Sequence, residues 1–122
     1  MWGLFRSPER EARRLVRDAR AVVEMAAAAL PAPTTRAIAS MAREHRDRAL
    51  ATVEAEPARR EVLIGELRTR HREARRRRDD VELTAYTLVI IYLESLPLGA
   101  RAADARATVD EFIASVENGL DA

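Results

Sequence analysis

A chain of 122 residues fits one domain, long enough to bury a core without staples or metals. With 48% hydrophobic and 34% charged residues it falls in the globular range, and the lack of cysteine excludes disulfides, thiolate catalysis and Cys-ligated metal sites. The formal charge of +1 hides a segregation: Arg59 to Arg78 carries nine arginines against three acids (net +6), and Asp79 to Ala122 two against nine (net −7).

The N-terminal tip, residues 1–6, holds Trp2, Leu4 and Phe5. The expectation is that they fold back over the end of the domain, with an anchor in a partner as the rival; Trp2 and Phe5 are therefore candidate partner-binding residues. Ser7-Pro8-Glu9 combines an N-cap residue, a first-turn proline and a first-turn acid, which starts a helix over about 7–30. Its apolar stripe is Ala12, Leu15, Ala19, Val22, Ala26 and Ala29, and Pro31-Ala32-Pro33 stops it. A charged helix directly behind the tip is no secretory signal, so the cytoplasm is the expected compartment.

Thr34 or Thr35 can cap a second helix over about 34–56, with the stripe Ile38, Met41/Ala42, His45, Ala49 and Val53. Pro57 is read as a tight turn rather than a kink, opening a third helix over about 57–78 with Leu63/Ile64, Leu67, His71, Ala74 and Arg78 along its stripe. Gly65 inside that pattern suggests a close helix approach or a kink.

Asp79 or Asp80 can cap a fourth helix over about 79–96, unless the third runs through. The most apolar run is Leu83 to Leu93; within it Thr84–Tyr92 is rich in β-branched and aromatic residues, but no second strand-like run exists to pair with it, so it is expected to be helical. It is too short to span a bilayer, which needs about 20 residues, and reads as core. Leu96-Pro97-Leu98-Gly99 is a turn, and a last helix over about 100–118 carries Ala102, Ala105, Val109, Phe112/Ile113 and Val116 before a left-handed stop at Asn118-Gly119. The expected fold is all-α, an antiparallel bundle of four to five helices in one domain over residues 1–122, with the option of one long central helix.

The search for chemistry is mostly negative. No glycine-rich phosphate loop, Gly-x-Ser-x-Gly elbow or Glu-x-x-His pair is present, and no catalytic residue, cofactor or metal ligand is assigned. His45 and His71 lie on apolar stripes 12 residues before and 14 residues after Pro57, which places them at similar heights in a hairpin and makes them a candidate proton-sensing pair. Arg68, Arg72 and Arg75 can form a ridge, with Arg76 beside it, and these four are the other candidate partner-binding residues. Every Lys/Arg position is arginine, so arginine abundance reflects composition and is weak evidence for phosphate binding. The expected role is that of a protein-protein interaction module, an adaptor, regulator or assembly subunit that forms a homodimer. The alternative is nucleic-acid binding through the Arg59–Arg78 face, which lacks the interleaved aromatics of a stacking platform.

Overall fold

The start signal at Ser7 operates through its side chain, whose hydroxyl accepts a hydrogen bond from the Arg10 amide at 3.1 Å. A computed structural model describes residues 7–119; Trp2, Leu4 and Phe5 lie outside them. Helix α1 spans Pro8–Ala29, with Ala12, Leu15, Ala19 and Ala26 buried, Val22 half-buried and Ala29 facing out. Pro31 forces Leu30 into extended backbone (φ −110°, ψ 144°), and the helix ends there.

Helix α2 spans Ala32–Ala55, and its N-cap is Pro31 rather than Thr34 or Thr35. The Thr35 hydroxyl instead donates to the Pro31 carbonyl at 3.1 Å. The cause lies in the prolines: their φ is already helical and Pro33 has no N–H to satisfy, so the first turn forms ahead of the threonines. At the other end, Pro57 is a turn. Glu56 is extended, and the Arg59 and Arg60 amides bond to the Glu56 and Pro57 carbonyls at 3.0 and 3.2 Å.

Helix α3 spans Arg59–Arg77 and buries Ile64, Leu67 and Ala74. Arg78 does not extend this stripe. It adopts the left-handed conformation (φ 56°, ψ 40°), and its amide and that of Asp79 bond to the Arg75 and Ala74 carbonyls at 3.1 and 2.9 Å. Asp79 then caps helix α4, Asp80–Ser95, by accepting from the Glu82 amide at 3.0 Å. A first-rate N-cap immediately after Arg78 requires the chain to turn there, and this overrides the stripe.

The expected turn after α4 is a 3₁₀ segment, Leu96–Ala102, bent at Gly99 (φ 56°, ψ −132°), and helix α5 follows over Ala103–Gly119. Counted through that segment, Asp80–Gly119 is a 40-residue helical run whose length and hydropathy match a bilayer-crossing helix. The bend at Gly99 divides it, and α4 lies in the bundle core. Gly119 is still helical rather than a left-handed stop; the glycine with positive φ among the described residues is Gly99.

Gly65 neither admits a close neighbour nor sits at a break: it is exposed within α3, and a Cβ built there meets nothing within 4 Å. Replacing it with alanine should therefore stabilise the fold by about 0.5–1 kcal/mol, seen as a higher denaturant midpoint at unchanged slope. A lower midpoint would mean that α3 needs the glycine.

The all-α bundle is built around α4, which is apolar on nearly every side and packs against α1, α2, α3 and α5. The other helices pack in series around it, α3 on α2, α2 on α5 and α5 on α1. No comparable packing joins α1 to α3. Ten of the 22 buried apolar residues are alanines, so backbones approach closely and a few large side chains, among them Leu15, Ile38, Leu88 and Leu93, fill the remaining space. One polar tie holds three helices. Arg46 of α2 pairs with Asp110 of α5 and lies over the Tyr92 ring of α4, 5.8 Å from its centroid.

Candidate functional site

Because the ring of helices around α4 is open between α1 and α3, one side of α4 is left uncovered along that seam. Thr87, Ile90, Ile91 and Glu94 repeat at helical spacing on this side and form the floor of a cavity of about 530 Å³. Val22 and Ala21 of α1 line one wall, and Arg68, His71 and Arg72 of α3 line the other.

The two ends of the seam differ. At one end, Glu94 is bridged from both walls, by Arg14 of α1 at 3.3 Å and by Arg68 of α3 at 3.6 Å. Arg14 is further held by Glu11 and by Asp18, the latter at 3.1 Å. At the other end, His71 Nε2 lies 3.1 Å from the Thr87 hydroxyl, and Arg72 donates to the Thr69 hydroxyl at 3.1 Å with no carboxylate partner among the described residues. A larger trough of about 890 Å³ lies over α1 and the start of α5. It is lined mainly by exposed charged side chains, with the buried Ala12 and the half-buried Val16 of α1 beneath them.

The structure does not bring His45 and His71 together. His45 packs edge-on against the Tyr86 ring, 5.3 Å between centroids, beside a small cavity of about 110 Å³, whereas His71 bonds to Thr87 in the seam. Tyr86 and Thr87 are neighbours on α4, so the two imidazoles do share a height, but consecutive helical residues point about 100° apart and place them on different sides of α4. Among the described residues, no group of three His, Asp or Glu side chains is placed to hold a metal ion.

Burial lowers the pKa of both imidazoles, and the guanidiniums of Arg48 and Arg70 beside His45 and of Arg75 beside His71 lower them further. With the folded pKa depressed, the unfolded chain binds more protons below its value of about 6.5. Stability is then complete above that value and is lost as pH falls toward the folded pKa values. A His45→Gln, His71→Gln variant should lose less stability than the parent between about pH 7.5 and 5.5. Equal losses in the two would show that neither imidazole is protected from water.

The arginines of α3 form the second surface of interest. Arg77 pairs with Glu82 and Asp79, Arg60 pairs with Glu61, and Arg68 meets Glu94. Arg59, Arg70, Arg72, Arg75, Arg76 and Arg78 are exposed and have no ion pair among the described residues. No family model, curated protein or solved structure matches the chain. What the arginine surface and the seam do must therefore be read from their own geometry.

The acids of α5 do not close over these arginines. Asp110 pairs with Arg46, and Arg43 Nη1 lies 2.8 Å from Glu117 Oε1, a charge contact that lacks hydrogen-bond alignment; both arginines are on α2. Charge counting along the chain points to a contact between the +6 and −7 segments, but α5 lies on α1, α2 and α4 while α3 lies on α2 and α4. The seam was not identified from the sequence. Its signal is the helix whose apolar residues occupy all faces, α4, which requires more neighbours than a four-helix ring open on one side provides.

Proposed function

We propose that the protein is a non-enzymatic interaction module of the cytoplasm, an adaptor, regulator or assembly subunit, that meets acidic protein surfaces through the outward arginines of α3. The observation that supports this is the accessible, unneutralised arginine end of α3 in a chain whose net charge is only +1. Such a surface speeds encounter with acidic partners and selects against basic ones. A second copy of the chain is one such partner, since Asp104 and Glu111 of α5 are exposed. The apolar stripes do not drive this pairing. Most of their residues are buried or half-buried within one chain, and Met25 and Val62 are the exposed large hydrophobic residues among those described. The dimer is therefore held by charge and is sensitive to salt.

Light scattering at micromolar concentration in dilute salt should give about twice the 13.7 kDa chain mass. It should fall to the monomer in about 1 M salt and in an Arg75→Ala, Arg76→Ala variant. A strict monomer at every concentration would remove self-association from the proposal.

The same exposure of the α3 arginines favours nucleic-acid binding as the second reading, because Arg68, Arg72 and Arg75 repeat at helical spacing and are exposed. Under the first reading, duplex DNA and RNA bind only at about 10⁻⁴–10⁻⁶ M in physiological salt. Submicromolar binding that disappears in the Arg75→Ala, Arg76→Ala variant would put nucleic acid in place of protein as the partner.

A further inference from the structure

The α1/α3 seam shares Arg68 and Arg72 with the arginine surface of α3 but differs from the rest of it in chemistry. Its floor is apolar, from Ile90 and Ile91 of α4 with Val22 of α1 beside them, and about 530 Å³ lies within the range of small-molecule pockets. The span from Thr87 to Glu94 is about 10 Å along the helix axis. At the Glu94 end the bridges from Arg14 and Arg68 cross the seam from both walls, so it is a blind pocket and not an open channel. A partner helix running along α4 would have to break that network, whereas a compact ligand leaves it intact.

The charges within the pocket are unequal along its length. At the blind end Arg14 and Arg68 face Glu94, Asp18 and Glu11, so both guanidiniums have carboxylate partners. At the open end Arg72 has no carboxylate partner among the described residues, whereas the Thr87 hydroxyl at the same level is already committed, donating to the Leu83 carbonyl at 2.8 Å and meeting His71 Nε2. One cation without a carboxylate partner at one end of an apolar floor is complementary to a single anionic head on an apolar body.

We propose that the seam between α1 and α3 binds a free single-chain amphiphile with one anionic head, its head on Arg72 and its apolar body along Val22, Ile90 and Ile91. The head can be a carboxylate or another monoanion, since an unpaired guanidinium accepts either. The ligand is a free molecule and not a bilayer lipid, because the pocket is about two helical turns long and closed at its far end.

The test is nuclear magnetic resonance titration of the full chain with decanoate and with the neutral decanol. Decanoate should shift the signals of Val22, Thr87, Ile90 and Ile91 and bind at least about tenfold more tightly than decanol. Arg72 is exposed, and an Arg72→Gln variant should fold normally and lose this preference for the anion while still binding decanol. Ala21 is exposed on the wall, and Ala21→Trp should fill the pocket and abolish both ligands; Arg76→Gln, outside the lining, should change neither. The proposal is overturned if millimolar decanoate leaves these signals in place, or if Ala21→Trp and Arg72→Gln both bind it as the parent does. It is also overturned if the chain binds anionic phospholipid vesicles but not free decanoate.

Discussion

Replacing Leu88 with alanine is expected to destabilise the protein by about 2–5 kcal/mol. Leu88 sits in the middle of α4, is fully buried, and belongs to the cluster that α2, α3 and α5 build around that helix. Nearly half of the buried apolar residues are alanines, which leave no long side chains to fill a vacated space, so the cavity remains. A domain of this size has about 5–15 kcal/mol of stability in total, and the variant should be marginal at room temperature. Val62→Ala provides the contrast: Val62 is 47% exposed, and its truncation should cost below about 0.5 kcal/mol. Urea unfolding of both variants checks the ranking, and a Leu88→Ala loss under about 1 kcal/mol would mean that the core around α4 is loosely packed.

The order of the helices was legible in the sequence because their ends are written in local chemistry. Ser7-Pro8, Pro31, Pro57 and Asp79 act through their own backbone and side chains, and each works the same way in isolation as in the fold. The strand-like composition of Thr84–Tyr92 was likewise resolved by the lack of a pairing partner. Errors arise where two local rules compete within a few residues. Pro31 outcompetes Thr34 and Thr35 for the start of α2, and Asp79 ends α3 at a residue, Arg78, that the stripe would have continued.

Around the candidate sites the sequence carried height but not direction. The distances of His45 and His71 from Pro57 place both at the level of Tyr86 and Thr87, yet the side of α4 that each one reaches depends on how the α2/α3 hairpin is rotated about α4. The charge segregation was equally visible, but it did not say which acids face which arginines. Asp110 and Glu117 of α5 meet arginines of α2 and not of α3 because α5 packs between α1 and α2, a tertiary fact with no local signal. The seam depends on the same arrangement, since it is the gap that this order of helices leaves open.

Arg106→Met is expected to cost about 1.5–3 kcal/mol, although Arg106 makes no ion pair among the described residues. At the end of α4 the Leu93 carbonyl accepts from the Leu96 amide and from Arg60, and the Tyr92 carbonyl accepts from the Ser95 hydroxyl, while the Ser95 carbonyl takes a donor from α5. Arg106 reaches back from α5 to fill that role. Its Nη1 donates to the Ser95 carbonyl at 2.9 Å and to the Ser95 hydroxyl at 3.2 Å, and its Nη2 donates to the Gly99 carbonyl at 2.8 Å. Ser95 is fully buried, so water cannot simply replace the guanidinium there, and methionine restores the bulk but none of the donors. A helix C-terminus also attracts positive charge, which adds to the loss. The bonds go to carbonyls rather than to carboxylates at the surface, so the destabilisation should persist in about 1 M salt, where the Arg46–Asp110 pair would be weakened. Arg106→Lys should recover only part of it, since a single ammonium cannot span the two carbonyls as the forked guanidinium does. Paired unfolding measurements in low and high salt decide the matter. A loss below about 0.5 kcal/mol, or one that vanishes with salt, would show that water or a surface charge, rather than Arg106, closes the end of α4.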